Sequence, residues 1–175
     1  IIDKSVEIKF IDRNAKNSIV QSQQFELSKA SGKPITLTHP PDERYGGGEA
    51  FGLVNGILAD ENLSGGRWLG WWGPDLDATI DLGSSQSIAQ VELGLLRMEN
   101  SWIYLPQFIE VFISEDGQKF ETIAKKSSQE YSAGGRVRID FKRCNARYVK
   151  VFVKNFGTIP NGKEGEGNKS WLFVD

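Results

Sequence analysis

The feature that most constrains the fold is a repeated alternation of apolar and polar residues with a period of two. It runs through residues 6–10, 91–95, 109–113 and 149–153, and helical periodicity does not recur. Successive side chains of a strand point to opposite faces, so each segment predicts a half-buried strand of an antiparallel sheet. Turn sequences rich in glycine separate the segments, as in SGKP at 31–34. Many short strands with such turns predict an all-β sandwich.

The character of the sequence changes near residue 32. Two strand patterns, Val6 to Ile11 and Ile19 to Leu27, precede a Gly-Lys-Pro break, after which glycine and tryptophan become more frequent. We expect residues 1–32 to be the terminal strands of a preceding module or a linker arm, and residues 33–175 to be the main domain. Because the last residues, SWLFVD, read as an interrupted strand, we expect the chain to be cut from a longer polypeptide.

Charge and reactive side chains argue against several function classes. The 21 basic and 23 acidic residues give a net charge of -2, which favours neither nucleic acid nor a membrane surface as a partner. No apolar run is long enough for a membrane helix. His39 is the single histidine and Cys144 the single cysteine, so neither an HExxH motif nor an internal disulfide can form. We therefore expect a binding domain and not an enzyme.

Three tryptophans fall within the sequence GGRWLGWWG at residues 65–73. Adjacent Trp71 and Trp72 on an extended chain must point to opposite sides, so at least one ring is expected to be exposed. An exposed ring beside a turn is typical of a surface that binds a partner.

Longer phrases resemble a known family. GEAFGLVNGILADENLSGGRWLGWWGPDLDATIDLG (48–83), VELGLLRMENSWIYLPQFIEVFISEDGQKFETI (91–123) and the closing WLFVD together resemble a coagulation factor V/VIII type C, or discoidin-like, domain over residues 35–175. The resemblance implies an eight-stranded antiparallel β-sandwich, a jelly roll of the galactose-binding-domain-like type, with the short N-terminal β segment attached.

FELSKASGKPITL, GGRWLGWWG, SWIYLPQFIEV and WLFVD are also similar to the C-terminal region of bacterial family 20 glycoside hydrolases, the β-N-acetylhexosaminidases or chitobiases. There an Ig-like module precedes a discoidin-like domain of the family 32 carbohydrate-binding type. The similarity implies a non-catalytic domain of a periplasmic, cell-surface or secreted bacterial enzyme. The catalytic domain of the same polypeptide would then be its neighbour, and its loops would bind sugar.

A sugar is held by an aromatic ring against its C–H face and by forked polar groups on its hydroxyls. The resemblance implies that the ring is Trp72, or else Trp71, while Trp68 lies in the core. It implies that the other contacts are Arg97, Glu99, Asn100 and a second ring, Phe156. Leu69 stands where the family has a histidine, which argues against galactose-type recognition. For Trp102, Tyr104 and Trp171 the alternation of the strands favours core positions.

Many members of that family hold one calcium ion through oxygen ligands. The resemblance implies that the calcium ligands here are the carbonyl of Gly52, the side chain of Asn55, the loop Ile57 to Asp60 and the carbonyl of Asp175. A glutamate that would follow Asp175 in sequence is expected as a further ligand. Asn55 replaces an aspartate and so removes a charge. We expect calcium to bind weakly or not at all, and no organic cofactor.

Two functions remain open. One is a monomeric carbohydrate-binding module that binds galactose-type or N-acetylhexosamine-type sugars weakly, on the order of 0.1–1 mM, because a single shallow site provides little binding energy. The other is a structural domain of the same fold whose aromatic residues pack against the catalytic domain or a partner protein. The two differ in whether polar groups converge beside the exposed rings.

Overall fold

A computed structural model describes residues 4–11, 20–60, 63–131 and 133–175. Within these residues the chain forms nine strands joined by loops and short 3-10 turns. The strands are β1 (Val6–Ile11), β2 (Val20–Phe25), β3 (Ile35–Leu37), β4 (Leu69–Trp72), β5 (Leu76–Leu95), β6 (Phe108–Ser114), β7 (Glu121–Ser127), β8 (Gly135–Lys154) and β9 (Trp171–Val174). The predicted all-β class is confirmed, and no helix of the described residues is long and apolar enough to span a membrane.

Strands β1 and β2 form a separate antiparallel pair in which Val6 lies opposite Phe25. The predicted N-terminal strand pair is thereby confirmed, although Ile19, where the second strand was expected to begin, lies outside the described residues. The segment after β2 contacts the main domain. The Glu26 amide donates to the Gly56 carbonyl (2.7 Å) and the Gly32 amide donates to the Val54 carbonyl (2.8 Å).

The other seven strands form one sheet in the order β4-β9-β5-β8-β6-β7, with β3 also paired to β5. Strands β5 and β8 are 20 residues each, and register shifts divide their pairing into segments. The first part of β5 pairs with β3 and the end of β8, whereas its last part pairs with the start of β8 and meets β9. The long strands therefore contribute to both layers of the sandwich.

The structure differs from the sequence expectation in the number of strands. The pattern at Val91 to Leu95 predicts a separate short strand, but it is the last part of the single strand β5, which begins at Leu76. The main sheet consequently has seven strands and not eight. The physical reason is that bulges bend a strand without ending it, so that turn-like residues such as Gly83 can lie at a register shift inside one long strand.

Apolar side chains from both layers meet in one core. Leu76, Ala78, Val149 and Val151 come from the part of the sheet that holds β3, and the opposite layer contributes Leu69, Trp71, Leu93, Leu95, Leu172 and Val174. Burial of this apolar surface is the main stabilising contribution to the sandwich. It also leaves the loops at the ends of the layers free to vary in sequence.

Candidate functional site

The turn after β4 and the loop after β8 meet at one end of the sandwich. Asn155, which is 1% exposed, joins them: its Nδ2 donates to the Pro74 carbonyl (3.1 Å). Its Oδ1 accepts from the Gly157 amide (3.0 Å) and from the Ser170 hydroxyl (2.6 Å). The buried side chain has these three close partners, and its Nδ2 also donates to the Trp71 carbonyl at 3.5 Å. It fixes the relative positions of the segments it connects, because losing a partner leaves a buried polar group unpaired.

A cavity of about 460 Å³ opens beside this joint, between the segment after β5 and the loop after β8. Its aromatic wall is formed by Tyr104 and Phe156, whose rings stack with centroids 4.7 Å apart and an interplanar angle of 20°. Its polar residues include Arg97, Glu99 and Lys163. The sequence-predicted residues Arg97, Glu99 and Phe156 are thus brought together, although they are distant along the chain.

The charged groups of the cavity are organised around Glu99. Arg97 Nε donates to Glu99 Oε1 (2.8 Å), and Lys163 Nζ lies 3.6 Å from Glu99 Oε2. Hydrogen bonds from the Arg97 guanidinium lower the pKa of the Glu99 carboxyl, with a smaller contribution from Lys163. Glu99 therefore stays ionised near neutral pH, and the cavity presents fixed donors beside a fixed acceptor.

Trp72 lies on a neighbouring surface and does not line this cavity. Its side chain is 41% exposed, and its ring stacks on Trp171 with centroids 5.6 Å apart at 20°. The indole N–H donates to the Lys169 carbonyl (3.0 Å), and the Arg44 guanidinium carbon lies 5.2 Å from the Trp72 ring centroid. The prediction of an exposed ring at Trp72 is confirmed, and these contacts fix the orientation of that ring.

Trp71 does not face a ligand, and the alternative that it forms the sugar platform is wrong. Its side chain is 1% exposed and its N–H donates to the His39 carbonyl (3.0 Å). Trp71 shares its face of β4 with Leu69, and this face covers the core, so the next residue, Trp72, points the other way. Trp68 is 5% exposed, as expected of a core residue.

The other aromatic and polar residues considered for the site differ in whether they line the cavity. Asn100 is exposed on a short 3-10 turn and does not line the cavity. Tyr104 and Trp171 are buried, as their strand-like alternation predicts, yet Tyr104 also forms the cavity wall. Sequence reasoning missed Lys163, because its surroundings, NGKEGEGN, indicate only a loop. Its contact with Glu99 depends on the tertiary fold.

A larger cavity, about 670 Å³, lies between residues 26–31, the segment 52–58 and the core. Aliphatic side chains such as Leu76, Ile80 and Val151 dominate its lining, and no aromatic ring of the described residues is among them. Arg136, Arg143 and Asp175 also line it, but because no ring is present to stack on a sugar, it is the weaker candidate for a carbohydrate ligand.

The residues that the family resemblance implies for calcium have other partners in this structure. Asn55 Oδ1 accepts from the Ile57 amide (2.6 Å), and the Asp60 carbonyl accepts from the indole N–H of Trp68 (2.9 Å). Among the described residues, no group of three or more His, Cys, Asp or Glu is arranged to hold a metal ion. Gly52, at the other side of the loop, would supply only a backbone carbonyl.

Asp175, a carboxylate beside this loop, is paired with a cationic side chain within the protein. Its Oδ2 accepts from Arg136 Nη1 (2.7 Å) and from the Ala59 amide (3.1 Å), and its backbone carbonyl accepts from the Gly94 amide (2.7 Å). Burial raises the pKa of the Asp175 carboxyl, and Arg136 opposes that rise. A guanidinium in contact with the carboxylate repels a second cation, so the Asp175 side chain does not fit a role as a calcium ligand.

Comparison with known proteins identifies the family. Residues 58–151, more than half of the chain, match the F5/F8 type C model described as a NedA-like, galactose-binding domain. A search of curated proteins finds no match.

Several solved structures share the fold. The lectin domain of lectinolysin in complex with Lewis B antigen has a TM-score of 0.56 at 18% identity, over 84% of this chain and 94% of that chain. A fucose-binding module of Streptococcus pneumoniae has a TM-score of 0.55 at 23% identity, over 83% and 90%. The CpGH89CBM32-5 module of Clostridium perfringens, in complex with GalNAc-β-1,3-galactose, has a TM-score of 0.52 at 20% identity, over 81% and 93%. The family match and the shared sandwich show that this chain belongs to the F5/F8 type C family of NedA-like, galactose-binding domains.

Proposed function

We propose that this domain binds carbohydrate without catalysis, in the cavity between the segment after β5 and the loop after β8. The observation that carries the proposal is the stacked Tyr104–Phe156 wall beside the charged group of Arg97, Glu99 and Lys163. Tyr104 covers one face of Phe156, so only the other face is available to the C–H patch of a sugar. Arg97 and Lys163 can donate to hydroxyls, and Glu99 can accept from them.

The same geometry argues against hydrolysis. Cleavage of a glycosidic bond normally uses two carboxyl groups, one of them protonated to act as the acid. Glu99 is the one carboxylic acid among the described residues that line the cavity. Its pKa is lowered, so it cannot hold a proton near neutral pH. The cavity is therefore better suited to binding a sugar than to cleaving one.

The relatives with the same fold support a carbohydrate ligand through what their complexes contain: Lewis B antigen in one and GalNAc-β-1,3-galactose in another. We propose galactose-type or N-acetylhexosamine-type sugars for this domain, with a Kd on the order of 0.1–1 mM for one shallow site. Trp72 would make a second contact with a longer glycan, since its ring lies at the same end of the sandwich.

On the sequence similarity alone, we further propose that the domain belongs to a family 20 glycoside hydrolase outside the cytoplasm. Weak binding would then be useful, because tethering to the enzyme raises the effective sugar concentration. The test is to sequence the coding region upstream of residue 1 and to assay the encoded protein on chromogenic N-acetylhexosaminides. A different upstream domain would overturn this parent but not the binding site.

A specific observation favours the alternative of a structural domain. Trp72 is stacked on Trp171 and its N–H is already bonded, as expected of a ring that packs within the protein or at an interface. In that case Trp72 would contact a protein partner, and the charged cavity would bind no sugar.

The test is an NMR titration of the protein with galactose, N-acetylglucosamine, N-acetylgalactosamine and chito-oligosaccharides. Saturable shifts that disappear in Arg97→Gln and Phe156→Ala would support the proposal. Arg138→Gln is a matched control, because Arg138 is also an exposed arginine paired with an acid two residues further along, Asp140. A flat response to all sugars at tens of millimolar would favour the structural role, whereas equal loss in the control would mean that the sugar does not bind in this cavity.

A further inference from the structure

Trp102 has a backbone conformation that few residues of its kind adopt. Its φ is 61°, and among the described residues only Glu49 is another non-glycine with positive φ. The conformation is held from both sides, since the Trp102 amide donates to the Glu99 carbonyl (3.0 Å) and its carbonyl accepts from the Trp171 amide (2.9 Å). Such strain persists only where the surroundings impose it, and it concentrates at functional sites.

The indole ring of Trp102 packs directly on the backbone of Gly165. A Cβ added to Gly165 would lie 2.6–2.7 Å from the Cδ1, Cγ and Nε1 atoms of Trp102, closer than any real contact. No other residue type could occupy position 165 unless the ring moved. The segment after β5 and the loop after β8 are therefore in close contact at Trp102 and Gly165.

The two loops that meet at this point also carry the groups of the proposed sugar site. Directly before Gly165, the carbonyl of Glu164 accepts from the Tyr104 hydroxyl (2.8 Å), and Lys163 Nζ lies 3.6 Å from Glu99 Oε2. The Trp102–Gly165 contact is thus flanked by both polar links across the cavity. A change in the spacing of the loops would move Lys163 relative to Glu99.

We propose that Trp102 is a positioning residue that sets the spacing of the two loops and so brings Lys163 to Glu99 and Arg97. It acts through these residues and does not itself contact the ligand. Its effect on sugar affinity rests on the proposed function, but its effect on loop spacing can be measured without a ligand.

Two glycines of the same loop provide a matched pair of variants. Gly165 has φ 84° and Gly167 has φ 79°, so alanine is equally strained at either position. Only at Gly165 does the added Cβ meet the Trp102 ring, whereas at Gly167 no atom lies within 4 Å. We expect Gly165→Ala, but not Gly167→Ala, to shift the side-chain NMR signals of Arg97 Nε–H and Tyr104 in the protein without ligand. Equal spectra for the two variants would overturn the proposal.

The second part of the experiment measures sugar affinity. We expect Kd to rise about tenfold in Gly165→Ala and to stay within about twofold of the wild type in Gly167→Ala. If the NMR signals shift but the Kd values are equal, the proposal is wrong. If the wild type binds no sugar, the proposed function fails, while the ligand-free spectra still decide whether Trp102 sets the spacing.

Substitutions of Trp102 separate its ring from its backbone conformation. Asparagine tolerates positive φ but has no ring, so Trp102→Asn should shift the Arg97 signal and weaken binding. Phenylalanine keeps an aromatic face toward Gly165, so Trp102→Phe should recover most of the affinity. Wild-type spectra and affinity in Trp102→Asn would contradict the proposed role.

Discussion

Asn155 offers the sharpest test of how this end of the sandwich is held together. In Asn155→Ala, the Pro74 carbonyl, the Gly157 amide and the Ser170 hydroxyl each lose a buried partner. In Ser170→Ala, only the hydroxyl of residue 170 is removed, and the other two bonds of Asn155 remain. The two variants therefore differ in the number of hydrogen bonds lost at the same site.

The expected magnitudes follow from the bonds lost. At about 1 kcal/mol per hydrogen bond, Asn155→Ala should lower the free energy of unfolding by about 3 kcal/mol and Ser170→Ala by about 1 kcal/mol. For a domain of this size, 1 kcal/mol corresponds to roughly 2–4 °C in Tm. Asn155→Ala should then lower Tm by roughly 6–12 °C, and sugar affinity should fall with it because Phe156 follows Asn155 directly.

Urea unfolding monitored by tryptophan fluorescence would measure both variants, with the slope of the transition checked against the wild type. Equal destabilisation by Asn155→Ala and Ser170→Ala would refute the reasoning, because it would mean that the bonds to Pro74 and Gly157 contribute nothing. Unchanged sugar affinity in a folded Asn155→Ala protein would separately refute the link between this joint and the cavity.

Three further outcomes are expected. Trp71→Ala should cost about 3–5 kcal/mol of unfolding free energy and Trp72→Ala less than about half of that, as urea unfolding would show; equal costs would contradict the assigned burial. Hydrogen bonds from Arg147 lower the pKa of Asp81 from 3.8 to about 2, so the pair stabilises the fold above that range and this contribution disappears as pH falls through it. Arg147→Met should therefore be less stable than the wild type at about pH 6, and the difference should shrink as the pH falls below about 4 and disappear only below about pH 2; a constant difference would argue against this linkage. Calcium at about 5 mM, or its removal by EDTA, should leave the Tm unchanged in a thermal-shift assay, since a cation that binds only the folded state would raise Tm.

Local pattern was enough to predict the strands and the class of fold. The alternation at residues 109–113 and 149–153 gives strands β6 and β8 as expected, because a period of two has one structural interpretation when one face is buried. The same logic predicts that Trp71 and Trp72 point to opposite sides. The burial of Trp68 also agrees with expectation.

The sequence did not decide which tryptophan of the pair faces outward. That choice depends on how β4 pairs with β9, where Trp71 lies opposite Leu172 and Trp72 opposite Trp171. Leu172 belongs to the main core, and Trp171 belongs to a separate, smaller cluster. Adjacent residues with the same side chain carry no local signal that distinguishes these two environments.

The residues of the candidate site also differ in whether the sequence alone could predict them. The family resemblance was enough to predict Arg97, Glu99 and Phe156 as site residues. The link between Tyr104 and Glu164, joined by a hydrogen bond although they are 60 residues apart, could not be predicted in this way. The ion pair of Asp175 with Arg136 likewise depends on the fold, which brings the residue after β9 and the start of β8 to either side of β5. Alternation and turn chemistry act between near neighbours and fix the elements, whereas a site assembled from loops is determined by packing among residues distant in sequence.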